Sequence, residues 1–288
     1  MLTEQGDDDN TEPADGETWT NPFSAEFDKR KAELEAMPGF QIKVDLEALG
    51  RAGHVMYKNA EDLSRHAEKF LHGRRLAGDV PDEYEKELVR FLHNYLTSIY
   101  SLIEAQRVVM RHCFGEDSEF ELGEYTDHRK ATFETGEAEF MTELRNYCTH
   151  RSIPLPGMST TFLWQRRGTA IILHKLTMDR DALLEWKKWT GPAKAYLQAK
   201  EPQFDLGPVI ASYVNAASAF FNWFVGEINK RKAKEKDEYL TAAKALKKWY
   251  EDETGLTEEF INAPPPRAER RGQRQQPKRQ PKSKRRKR

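Results

Sequence analysis

The segment Leu144-Arg145-Asn146-Tyr147-Cys148-Thr149-His150-Arg151 gathers an imidazole, an amide and two guanidiniums just before the Pro-rich run Ile153-Pro154-Leu155-Pro156-Gly157. On a helix, Asn146 and His150 are four apart and share a face. Arg145 stands about 140° round the helix from His150, and its long side chain can sweep toward that face. Imidazole titrates near neutral pH, so it can take a proton from a hydroxyl or return one to a leaving oxygen. A guanidinium holds a phosphate and the charge that develops on it in the transition state. Such a set suits cleavage of RNA through its own 2′-hydroxyl, with His150 as general acid/base and Arg145 on the phosphate. Asn146 would orient either of them, and Arg151 adds a second cation.

The same residues also have structural uses. A His in a last helical turn interacts favourably with the C-terminal dipole and can cap carbonyls. Arg145 can pair with Glu139 or Glu143, and Asn146 can tie down the Pro154 loop. Cys148 lies inside the segment, where a buried, inert thiol is the plainer reading and a thiolate favoured by Arg145 and Arg151 the alternative.

Arg145-Asn146-Tyr147-Cys148-Thr149-His150, late in a helical region, resembles the Arg-x4–6-His motif of the HEPN superfamily in its four-residue form. The preceding helix around His93-Asn94-Tyr95-Leu96 is similar to the central bundle helix of those proteins. The resemblance covers about 43–153. It implies a metal-independent ribonuclease of the kind found in toxin–antitoxin and phage-defence systems, with no cofactor. It also implies a homodimer in which Arg and His from both subunits line one cleft. Arg145 and His150 would then be catalytic and Asn146 supportive. Superfamily members that only bind nucleic acid leave a second reading, and helices after the hairpin extend beyond a minimal bundle of this type.

The elements that position this segment read as helices. Ser24 caps a helix to about Met37, where Pro38-Gly39 stops it. A rough apolar stripe from Asp45 to Leu71 contains Gly50 and Gly53 as weak points. Pro81, in a first turn followed by Asp82, Glu83 and Glu85, opens the clearest amphipathic helix, with Leu88, Leu92, Tyr95, Leu96 and Ile99 recurring at three and four. It runs to Phe114, and Gly115 stops it. A further helix starts at Asp117 or Ser118 and runs unbroken through Phe133 and Phe140 to about His150. Residues 160–177, rich in Thr, Phe, Trp and Ile around Arg166-Arg167-Gly168, predict a β-hairpin. Asp179 caps a helix that Gly191-Pro192 kinks or splits, and Asp205 and Pro208 open the last long helical stretch, to Gly255. The expected fold class is an all-α helical bundle with one small β-hairpin insertion and disordered ends. The expected segments are an acidic N-terminus (1–22), a bundle (23–158), a hairpin with C-terminal helices packed on it (159–256) and a basic tail (263–288).

The 288 residues carry a net charge of −1 that hides two poles. Residues 1–28 hold nine carboxylates and no Lys or Arg, and residues 267–288 hold twelve Lys and Arg against one acid. The tail ends in Lys282-Ser283-Lys284-Arg285-Arg286-Lys287-Arg288 and is too polar to pack a core. Its cations favour a polyanion by counterion release, so Lys284, Arg285, Arg286, Lys287 and Arg288, with Arg151, are the expected nucleic-acid contacts. Contact with the acidic N-terminus, a solubility role and a nuclear-localisation signal are the other uses of such a tail. No apolar run is long enough to span a membrane. Two cysteines without metal-type spacing and an acidic N-terminus point to a reducing, cytoplasmic setting. His54, His66 and His72 read as solvated helix faces, and the aromatic residues after Trp164 read as core, with base stacking as the alternative. No phosphate loop, metalloprotease motif or nucleophile elbow is present.

Overall fold

A computed structural model of the chain describes residues 22–164 and 170–257. Among them, nine α-helices and one small antiparallel sheet follow in order: α1 (Pro22–Glu35), α2 (Pro38–Leu71), α3 (Asp82–Phe114), α4 (Thr126–Phe133), α5 (Gly136–His150), β1 (Gly157–Trp164), β2 (Ala170–Asp179), α6 (Arg180–Leu184), α7 (Gly191–Gln198), β3 (Gln203–Asp205), α8 (Gly207–Arg231) and α9 (Ala233–Thr254). The protein is thus mainly helical with a small hairpin-based sheet. The chain divides into two compact units at Ala243/Lys244. In the second unit the described residues are the end of α9, held by Lys247–Glu251 at 3.8 Å, and the stop at Gly255, φ +68°. No helix among the described residues is long and apolar enough to cross a membrane.

The first unit is organised by α2 and α3, each more than thirty residues long. Leu49, Met56 and Leu63 of α2 meet Leu88, Leu92, Leu96 and Leu102 of α3 in one contiguous core that also takes in α5, α8 and the sheet. Burial of such side chains stabilises by about 1.5–3 kcal/mol each before chain entropy is counted. α3 starts after Pro81 with Asp82, Glu83 and Glu85 in its first turn, and ends at Gly115, whose φ of +87° suits glycine. The core histidine His66 was expected on a solvated face. It is instead buried against α3, with Nε2 3.0 Å from the Tyr84 carbonyl, its own carbonyl accepting from the Tyr84 hydroxyl at 3.0 Å, and the two rings stacked at 4.3 Å. His54 and His72 are exposed as expected.

Several boundaries differ from the sequence reading. Pro38-Gly39 follows the end of α1 at Glu35, as expected, and also begins α2, because a proline at the first helical position loses no hydrogen bond. Gly39 is also where the backbone of α9 approaches, since a Cβ there would meet the Glu235 carbonyl oxygen at 2.2 Å. Gly53 is buried within α2, and a Cβ there would stand 3.2 Å from the Phe221 ring. The helix expected from 117 to 150 is broken. A π-helical turn at Glu121–Tyr125 contains a non-helical Gly123, α4 ends at Phe133, and Thr135 caps α5 by accepting from the Ala138 N–H at 3.2 Å. The helix capped by Asp179 already ends at Leu184, and Gly191-Pro192 opens α7, with the Thr190 hydroxyl capping it; the last helical stretch breaks at Lys232.

The hairpin runs farther at its base than expected, and a third strand adds to it in the order β1-β2-β3. Thr160 lies opposite His174, Phe162 opposite Ile172 and Leu163 opposite Ile171. The base is anchored to the helices. The Ala77 N–H donates to Thr160 Oγ1 at 2.9 Å, His174 Nδ1 is 3.0 Å from that oxygen, and the His174 ring lies 4.7 Å from Phe70. Leu176 and Met178 on the same face are buried. Asp179 then caps α6 as expected, accepting from the Ala182 N–H at 2.9 Å.

Candidate functional site

Helix α5 buries Phe140, Met141, Leu144, Tyr147 and Cys148. Phe140 and Tyr147 stack on Trp189 at 5.7 and 5.8 Å, and Tyr147 meets Trp186 edge-on at 5.5 Å. That fixes the rotation of α5 and turns Arg145, Asn146, Thr149 and His150 away from the core. The aromatic residues Trp186, Trp189, Tyr213, Phe220 and Phe224 are core, as expected from their helical spacing.

Arg145 is half-buried and lies flat on Tyr100 of α3, its Cζ 4.1 Å from the ring centroid. Its Nη1 donates to Asn146 Oδ1 at 3.1 Å, and Asn146 Nδ2 donates to Glu143 Oε1 at 3.3 Å. Burial pushes the Glu143 carboxyl above the usual carboxylate range, with the Asn146 hydrogen bond acting the other way. Among the described residues, Arg145 therefore reaches a carboxylate only through Asn146. The Pro154 loop is not among the partners of Asn146.

His150, the last residue of α5, is exposed, and its imidazole has no hydrogen-bond, ion-pair or ring partner among the described residues. Arg151 ends the helix: its Nη2 donates to Glu185 Oε2 at 2.8 Å and its Cζ lies 5.8 Å from the Tyr147 ring centroid. Cys148 is buried, and desolvation pushes its thiol up to about 12, so it is an inert thiol.

Arg145 opens onto a cavity of about 390 Å³ between α3, α4 and α5. Its charged lining is Glu104 and Arg107 of α3, Arg129 of α4, Glu134, Glu139 and Arg145. Arg107 pairs with Glu104 at 2.5 Å, Arg129 with Glu134 at 2.9 Å, and Glu139 accepts from the Thr190 hydroxyl at 3.1 Å; among the described residues Arg145 has no carboxylate partner. Tyr100, Phe133 and Tyr213 supply aromatic walls. The fold brings Asn146 against Arg145, but of the three predicted residues only Arg145 lines the cavity; Asn146 and His150 are not among its lining residues. Tyr100, Arg107 and Arg129 have no signal in sequence, because their place beside Arg145 is made by helix packing alone. Lys284, Arg285, Arg286, Lys287 and Arg288 lie outside the described residues, as do Arg166 and Arg167.

A second cavity of about 480 Å³ lies at the base of the hairpin, walled by Leu63, Leu71, Leu92, Leu206, Ile210 and Val214. Among the described residues, no group of three or more His, Cys, Asp or Glu is placed to hold a metal ion. No protein-family model matches the chain, and neither the curated proteins nor the solved structures hold a match to it.

Proposed function

We propose that the protein is a HEPN-like RNA endonuclease that needs no metal, acting as a toxin or defence effector. The observation that carries this reading is Arg145: its guanidinium is half-buried on Tyr100 at a cavity, without a carboxylate partner, while Arg107, Arg129 and Arg151 around it are each paired. A guanidinium in that state is free to hold a phosphodiester and the charge that grows on it. The exposed, unpartnered imidazole of His150 supports the second role; since His150 does not line the cavity of its own chain, it would reach the phosphodiester from the other subunit of the homodimer that the resemblance implies. It would take the proton from the ribose 2′-hydroxyl as the P–O2′ bond forms, and return it to the 5′-oxygen as the P–O5′ bond breaks. The products would be a 2′,3′-cyclic phosphate and a 5′-hydroxyl. Asn146 would hold Arg145 in position through their hydrogen bond.

The test is cleavage of labelled single-stranded RNA in EDTA by the full chain, by His150→Ala, by Arg145→Ala and by a chain ending at Ala263. The expected result is cleavage by the full chain, a loss on the order of 10²-fold or more in His150→Ala, and a milder loss on truncation. Cleavage that survives His150→Ala unchanged, or that never occurs, overturns the reading.

One observation favours a second reading, a non-catalytic helical module that attaches to nucleic acid through its basic tail. Glu104, Glu134 and Glu139 rim the cavity that Arg145 faces and oppose a phosphate there. The same experiment separates the two: salt-dependent binding that vanishes with the tail, without cleavage, is the signature of the module.

A further inference from the structure

The cavity at the base of the hairpin differs in kind from the one at Arg145. It is a slot between α2 and α8, with Leu88 and Leu92 of α3 and Leu176 of β2 in its wall. Leu63, Leu88, Leu92, Leu176 and Leu206 give it a buried hydrocarbon lining. Its polar groups stand on exposed residues at the mouth: Ser64, Glu68 and His72 on α2, Asp205 on β3 and Asn215 on α8. Glu68 accepts from the Ser64 hydroxyl at 3.3 Å, and Asp205 Oδ1 accepts from the Gly207 N–H at 2.8 Å. Among the described residues neither carboxylate has a cation partner, and no Lys or Arg lines the slot. Its volume of about 480 Å³ lies within the range of small-molecule sites, roughly 300–1,000 Å³, which are mostly apolar with a few placed polar groups.

We propose that this slot binds an amphiphile with one aliphatic chain and an ammonium head, the chain lying between α2 and α8 and the head at the mouth beside Glu68 and Asp205. Three features select this chemistry. The lining holds Leu, Ile, Val and Ala but no Phe, Tyr or Trp, so its walls suit a flexible chain and offer no ring to stack on. It extends from Gly207 to Asn215 on α8, about 12 Å of helix, which matches a chain of about eight to ten carbons. The two carboxylates without a cation at the mouth attract an ammonium group and repel the carboxylate of a fatty acid. This inference does not rest on the proposed nuclease.

The test is isothermal titration calorimetry of the full chain at pH 8 with hexylamine, octylamine and decylamine, and with octanoate and 1-octanol, all below micelle-forming concentrations. The expected result is one site per chain and an affinity for the amines that rises about fourfold with each added methylene. Octylamine should bind on the order of tenfold tighter than octanoate. Ala211→Trp, at an exposed lining position of α8, should abolish binding with helical circular dichroism unchanged; Val214→Phe replaces it if that variant fails to fold. Glu68→Gln with Asp205→Asn, which keeps the acceptor of the Gly207 N–H, should bring octylamine down to the affinity of 1-octanol. Absence of amine binding, octanoate bound as tightly as octylamine, an affinity independent of chain length, a stoichiometry well above one, or binding unchanged in the filled-slot variant each overturns the proposal.

Discussion

On one face of the hairpin, Leu176 and Met178 are buried in the common core, whereas Phe162 and Ile172, farther along the same two strands, are 45% and 42% exposed. The helical body mostly shows the first behaviour: its apolar stripes meet each other and its charges pair on the outside, as in Arg65 with Asp62 and Arg90 with Glu87. The arm of the hairpin beyond Thr160 and His174 shows the second. Apolar side chains in the body are buried and hold the fold, and those in the arm, 40–77% exposed, contribute less to it. Stability should therefore respond unequally to substitutions in the two.

The largest expected effect is in the body. Phe140 is fully buried between Trp189, Tyr196 and Phe204. Phe140→Ala should cost about 3–5 kcal/mol in urea unfolding, the sum of lost transfer energy and a residual cavity. A cost below about 1 kcal/mol would mean that the aromatic cluster does not hold α5. Next comes alkaline pH. Burial pushes the Cys148 and Tyr213 protons up to about 12 and that of Cys113 up to about 11. These groups bind protons more tightly when folded, so their contribution is fully present below the unfolded values, near 9 for the thiols and 10 for Tyr213, and is lost as pH rises through the folded ones. The urea midpoint should hold steady to about pH 9 and fall beyond it. For the same reason alkylation of both cysteines at pH 8 should be slow in native protein and fast in denaturant.

At the junction of the two regions, Thr160→Ala removes the acceptor of the Ala77 N–H and the neighbour of His174 Nδ1. It should cost about 0.5–1.5 kcal/mol and loosen the hairpin base, measured as faster amide exchange in β1. The smallest effect belongs to the arm. Trp164→Ser should change stability by less than about 0.5 kcal/mol, and a larger loss would erase the contrast between arm and body.

Legibility followed the same division. The limits of α3 were readable because Pro81, the acids after it and Gly115 each act within one turn. The start of α2 was not, because Pro38 stands both after the end of α1 and at the first position of α2, and the stop signal was readable without the start. The break at Glu134-Thr135 was hidden by the spacing of Phe133 and Phe140, which suits one continuous helix as well as two. Strand β3 has three residues and exists only through its pairing with β2. At the candidate site, Arg145, Asn146 and His150 were singled out by type and spacing. Spacing alone did not reveal that Arg145 would lie on Tyr100 and be tied to Asn146, with His150 away from the cavity.

The sequence by itself determined the helical class, the ends of α3, the hairpin and the opposite charges of the two termini, because periodicity, capping and composition act over a few residues. Tertiary structure alone decided which glycines admit a neighbour, which histidine is core and which arginine at the cavity lacks a carboxylate. It also decided where the hairpin parts from the helices. Each of these depends on residues far apart in the chain that come together only when α2, α3, α5 and α8 pack.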